Sequence, residues 1–139
     1  MGQRSLEDEL EIRDLIATYA LSVGRRDAEA WGETWTEDAE WNVLGRAPKG
    51  RAEVIALWNG LMSQFPLIVH SATDGIVCVD GDRATGTWAI TEQGYREGGR
   101  AVLVLGRYKD EYRRTSEGWR IRKRDFECLY QGAPDFSDL

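Results

Sequence analysis

The sequence predicts an α+β domain: a cone-shaped α+β barrel in which three N-terminal helices pack on a strongly curved, mostly antiparallel sheet. Three observations carry that prediction. Apolar residues recur at helical spacing through the first half of the chain, as far as Pro66. After Pro66 the chain alternates or is rich in β-branched residues, broken by short turn signals. One further strand-like segment, Glu40 to Leu44, is set between the second and third helical stretches.

The first helix is expected to start at Ser5, with Asp8 three residues later as its capping-box partner. Ile12, Leu15, Ile16, Tyr19, Ala20 and Val23 mark its buried face. Gly24 is placed to end it, because glycine tolerates the left-handed backbone used at helix C-termini. Asp27 then opens a short second helix that carries Trp31 and Trp35 and closes at 36–38. A loop over 45–50 leads to a third helix from Arg51 to about Gln64, burying Val54, Leu57, Trp58, Leu61 and Met62, and Pro66 stops it. Strands follow at 67–80, 84–93, 100–114 and 119–131, with turns at 80–82, 94–99 and 115–118. No repeat or linker divides the chain, so residues 1–139 read as one domain with its core over about 5–131 and a loose tail at 132–139.

Composition narrows the function. The 24 acidic and 18 basic residues leave a net charge of −6, and no basic stripe gathers phosphates, so nucleic acid is not an expected partner. No apolar run approaches the roughly 20 residues that span a bilayer, and the polar, acidic N-terminus does not read as a secretory signal. Cys78 and Cys128 lie far apart in apparent strands and read as buried free thiols, which points to a reducing, cytoplasmic location. His70 is the only histidine, which excludes a multi-histidine metal site. The glycines lack phosphate-loop spacing, and neither a Ser-His-Asp nor a Cys-His arrangement is present. No metal or cofactor is therefore expected.

A curved sheet with helices across its concave side encloses a cone whose wide end can stay open as an apolar pocket, suited to a small hydrophobic molecule. Six tryptophans and five tyrosines supply large rings for pocket walls or for the core. The candidate walls are Trp41, Trp58, Trp88, Ile90, Val104, Tyr108, Phe126 and Cys128, with core packing as the alternative for each.

The order of elements and several short motifs resemble the SnoaL-like branch of the nuclear-transport-factor-like superfamily. The matching pieces are Glu11-Ile12-Arg13-Asp14-Leu15, Gly24-Arg25-Arg26-Asp27, and Trp35 through Trp41. They continue with Lys49-Gly50, His70, Asp110-Glu111-Tyr112 before Gly118-Trp119, and Lys123-Arg124. The likeness extends over about residues 5 to 131, and dehydrochlorinases and scytalone dehydratases are among the members it brings in. The resemblance implies a histidine general base, oriented by an aspartate at the end of the first helix. His70 stands at the histidine's position and Gly24 at the aspartate's. Either the dyad has been dismantled here, or another group does the aspartate's work.

Four residues are the candidates for chemistry. Neutral imidazole, with an ordinary pKa of about 6.5, can take a proton near neutrality, which suits His70 as a base. Glu92 shares a strand face with Trp88 and Ile90, so it reaches either into the apolar cavity or to its rim. Tyr19, on the buried face of the first helix, can polarise an oxygen or simply fill the core. Arg124 matches an arginine that the resemblance places at the pocket, where it would hold a developing negative charge; a cross-strand ion pair is the other reading. The expectation is a cofactor-independent lyase or isomerase working by dehydratase-like proton abstraction. The alternative is a non-catalytic binding module of the same fold. By fold analogy the outer sheet face is expected to form a homodimer or homotrimer.

Overall fold

The computed structural model describes residues 3–135, with side chains from residue 5 onward. The elements run α1 (Gln3–Arg25), α2 (Ala28–Glu33), β1 (Trp35–Asn42), α3 (Arg51–Met62), β2 (Leu67–Asp80), β3 (Arg83–Tyr95), β4 (Ala101–Thr115) and β5 (Gly118–Gly132). One five-stranded sheet has the order β1-β5-β4-β3-β2. β1 lies parallel to β5 and every other pairing is antiparallel, so β2 to β5 form a meander and β1 joins its far side. The sheet does not close, and β1 and β2 are its edges.

The helical spacing of α1 turns Ile12, Ile16, Tyr19 and Val23 onto the sheet, where each is buried. α1 lies against β2 and β5, and α3 against β1 and α2. The core is aromatic where the helices meet β1. Trp31 stacks on Trp58 at 4.7 Å, with Trp35 and Trp41 at 5.7 and 5.4 Å from Trp31.

Three expectations about the helices are corrected. α1 already runs from Gln3, so Ser5 lies inside it and is not its first residue. Asp8 instead takes Arg114 bidentately at 2.7 and 2.9 Å and accepts from Trp119 Nε1 at 3.1 Å, while Glu11 accepts from the Trp119 backbone N–H at 2.7 Å. These carboxylates tether the first turns of α1 to the β4–β5 turn. Gly24 does not end the helix either: the left-handed residue is Arg26, with φ of 57°. The Arg26 guanidinium donates to the carbonyls of Phe65 and Met62 at 2.7 and 2.5 Å, pinning the end of α1 to the end of α3. Finally, α2 is only six residues long, and Trp35 to Asp38 belong to β1. Pairing with β5 begins at Trp35↔Ile121, next to the Ile121 N–H bond to the Thr34 carbonyl, and this overrides the helical spacing of the two tryptophans. Asp27 caps α2, its Oδ1 accepting from the Ala30 N–H at 3.1 Å.

A bulge in β2 at Asp74 and Gly75 bends the strand over the core, with Asp74 in the left-handed region at φ 51°. A Cβ at Gly75 would stand 2.2 Å from the Trp88 ring, over which the Arg13 guanidinium lies at 5.4 Å while donating to the Gly75 carbonyl at 3.2 Å. Gly75→Ala therefore forces the indole out of place. An overpacking cost of about 1–3 kcal/mol is expected, read as a lower urea midpoint at unchanged slope.

Both cysteines are free but exposed, which corrects their reading as buried thiols. Cys128 lies beyond Asn42↔Asp125, where pairing with β1 stops and β5 becomes an uncovered edge. The expected tail falls partly within β5, which reaches Gly132; residues 136–139 lie outside the described residues.

Candidate active site

Every strand of the sheet sends a side chain to one cavity of about 110 Å³ at the wide end of the cone. Tyr19 and Val23 come from α1, Trp41 from β1, Trp58 and Met62 from α3, Ile68 and His70 from β2, Glu92 from β3, Val104 and Tyr108 from β4, and Phe126 from β5. Leu44, Phe65, Gln64 and Arg96 add to the lining from the adjoining turns. A larger groove of about 670 Å³ lies at the opposite end of the sheet, lined by charged residues such as Asp80, Arg83, Glu111 and Arg122, and contains no histidine. Among the described residues no cluster of histidine, cysteine and carboxylate side chains could hold a metal ion.

His70 and Glu92 are direct cross-strand partners, which brings their side chains together on the concave face. His70 Nδ1 lies 3.1 Å from Glu92 Oε2. An ionised carboxylate can only accept, so in the neutral ring the proton sits on Nδ1 and Nε2 carries the lone pair. Nε2 is buried and has no hydrogen-bond partner in the protein. The imidazole side chain is only 3% exposed, and the Tyr19 ring packs against it at 5.3 Å. Glu92 is 29% exposed and turned onto the ring.

Beside the imidazole lies a buried chain of hydroxyls. Trp41 Nε1 donates to Tyr108 Oη at 2.9 Å, and Tyr108 in turn hydrogen-bonds Tyr19. Arg124 lies behind both rings, its guanidinium 4.5 Å from the centroid of Tyr19 and 3.8 Å from that of Tyr108. Burial pushes the Tyr19 hydroxyl up to about 12, and the Arg124 charge offsets only part of that rise. Tyr19 is therefore a neutral donor throughout the range in which an imidazole titrates. Burial raises Tyr108 and Tyr112 in the same sense. Their folded pKa values lie above the unfolded value, so the protein binds more protons folded than unfolded as the pH climbs above 10. Stability should hold below pH 10 and fall as the pH rises through 12. Denaturant melts at stepped alkaline pH test this, and Tyr19→Phe should flatten the fall.

Arg124 does not line the cavity, which corrects its placement as a direct anion holder. It is completely buried and gives Nε and Nη2 to Asp110 at 2.7 and 3.0 Å, the ion-pair reading. Asp110 also accepts from the Tyr112 hydroxyl, which accepts from Trp88 Nε1 at 3.0 Å. Trp88 and Ile90 are core residues outside the cavity, and exposed Cys128 is no part of it. Trp41, Trp58, Val104, Tyr108 and Phe126 do line it. Sequence reasoning gave Asp110 no role, although the period-two run of Val104, Tyr108, Asp110 and Tyr112 carries the signal that it points inward. Leu44, Phe65 and Arg96 lie outside the regular strands, where no periodicity marks them.

Gly24 is exposed, and a Cβ built there meets nothing within 4 Å. No carboxylate reaches the imidazole from the end of α1; Glu92 reaches it from β3.

Comparison with known proteins agrees with this architecture. The model of the SnoaL-like domain matches residues 4–125. The uncharacterized Mycobacterium tuberculosis protein Rv2910c is 32% identical over 124 residues, covering 86% of this chain and 84% of that protein. The gamma-hexachlorocyclohexane dehydrochlorinase of Sphingobium indicum is 27% identical over 120 residues, covering 82% of this chain and 76% of the enzyme. The crystal structure of LinA superposes with a TM-score of 0.85 at 26% identity, covering 92% of this chain and 90% of LinA. The chain belongs to the SnoaL-like family.

Proposed function

We propose that this protein is a cofactor-independent lyase or isomerase that removes a proton from a small, largely apolar molecule held in the cavity. The observation that carries the reading is the His70–Glu92 pair: Nδ1 is tied to a carboxylate at 3.1 Å, and Nε2 is buried and unpartnered. It supplies from β3 the orienting carboxylate that Gly24 does not supply from α1. His70 Nε2 takes a proton from a C–H bond, and the Glu92 charge steadies the imidazolium that forms. The C–H electron pair forms a double bond as a leaving group departs from the neighbouring carbon, or moves onto a conjugated carbonyl oxygen, after which the imidazolium returns the proton to another carbon of the enolate. The neutral Tyr19 hydroxyl donates to that oxygen or leaving group, and Arg124 behind it favours developing negative charge. The dehydrochlorinase relative is named for an elimination of this kind.

A cavity of about 110 Å³ limits the guest to roughly one ring, since an engineered 150 Å³ cavity accepts benzene. The test is a panel of monocyclic halides, β-hydroxy ketones and unsaturated ketones, assayed for turnover and, in parallel, for binding by the fluorescence of Trp41 and Trp58. Turnover of at least one class supports the proposal. Binding without turnover across the panel makes the protein a binding module and ends the lyase reading. The proposal extends to a homodimer or homotrimer packed through the outer sheet face, where Leu67, Val69 and Tyr95 are exposed. Light scattering that returns a monomer would remove that part alone.

A further inference from the structure

We infer that the cavity mouth is a carboxylate subsite built on Arg96, so that the preferred guest is a small apolar acid, its ring inside and its anionic group at the rim. The inference rests on the proposed cavity reading but concerns recognition, not chemistry.

Among the described residues Arg96 is the only lysine or arginine on the cavity wall. It directly follows the last residue of β3, Tyr95, and lines the same cavity as Glu92 and His70. Its guanidinium is held in place. It lies over the Phe65 ring at 4.8 Å, and Nη1 donates to Gln64 Oε1 at 3.0 Å. The backbone repeats the connection: the Arg96 N–H donates to the Arg100 carbonyl at 2.8 Å and the Glu97 N–H to the Gln64 carbonyl at 3.2 Å.

What Arg96 lacks is an acid. Seven arginines, Arg13, Arg51, Arg107, Arg113, Arg114, Arg122 and Arg124, each have a carboxylate within 4.0 Å; among the described residues Arg96 has none, like Arg25, Arg26, Arg46, Arg83, Arg100 and Arg120, and of these only Arg96 lines the cavity. Its one side-chain partner is a neutral amide, which takes one donor of five and cancels no charge. The single acid on the cavity wall, Glu92, is turned to His70. A planar fork preset by a stacked ring and an amide, with its charge unmatched beside an apolar hollow, suits the carboxylate of a guest whose hydrocarbon part fills that hollow. It would also fix which carbon of the guest comes to His70 Nε2, since binding at one end sets the register of the other.

The experiment compares benzoate with benzamide, near-isosteres that differ in charge, by calorimetry at low salt. Benzoate should bind the wild-type protein about tenfold tighter or more, the range of a charge-assisted hydrogen-bonded pair. R96Q should abolish the preference by weakening benzoate far more than benzamide, and R96K should keep part of it. Equal affinity of the two ligands for the wild type, or an undiminished preference in R96Q, overturns the inference. Benzamide binding by R96Q shows that the cavity is intact, so a lost preference is not misread as misfolding. The outcome is independent of catalysis. A benzoate preference without turnover of any substrate would leave this subsite standing and remove the lyase reading; turnover of neutral and acidic substrates alike, with no benzoate preference, would do the reverse.

Discussion

His70→Ala should lower kcat on any substrate that is turned over by about 10²–10⁴-fold, the range supplied by a positioned general base, while ligand binding changes little. The asymmetry follows from geometry. The imidazole is one of many side chains around a mainly apolar cavity, so truncation removes the proton acceptor but leaves most of the contact area. Glu92→Gln should be milder, because an amide oxygen can still accept from Nδ1–H while losing the charge that steadies the imidazolium. Combining the two should cost no more than His70→Ala alone, since residues acting as one unit are not additive. A double variant much worse than His70→Ala would mean that Glu92 acts separately from the imidazole.

The second large effect is on folding. Asp110→Ala leaves the Arg124 guanidinium completely buried with no counter-charge, and removal of one partner from such a pair costs about 3–5 kcal/mol. At a few degrees per kcal/mol for a chain of this size, the melting temperature should fall by roughly 10 °C or more. Replacing both partners, Asp110→Ala with Arg124→Met, should recover much of that stability, because an apolar pair of similar volume carries no desolvation penalty. It should not recover turnover, since Tyr19 and Tyr108 would lose the cation that backs their rings. A double variant with full activity would show that Arg124 serves the fold alone.

Much of this architecture is legible in the residue order. The four strands of the meander fall within two residues of their expected bounds because Pro66, Asp80-Gly81-Asp82 and the Gly98-Gly99 turn punctuate them. β1 was harder: Trp31 and Trp35 are four residues apart, a helical spacing, and only the pairing of Trp35 with Ile121 pulls the second into a strand. The site was legible where alternation holds. On β3 the period runs undisturbed from Trp88 to Glu92, so the inward direction of Glu92 follows from counting. On β5 it fails. The register shifts between Ile121 and Lys123 and again before Tyr130, so Arg124 and Cys128 cannot be assigned a face by counting alone. That Glu92 reaches His70 is a cross-strand relation fixed by the hairpin register, and no local pattern in either strand announces it.

The proposed chemistry requires that His70, paired with Glu92, carry an unprotonated Nε2. Because the chain has a single histidine, nitrogen-15 NMR of the labelled imidazole reads its tautomer without assignment ambiguity. In the neutral ring a proton is expected on Nδ1 and a pyridine-like shift at Nε2, with Nδ1 perturbed by Glu92→Gln. A ring protonated at Nε2, indifferent to residue 92, would contradict it.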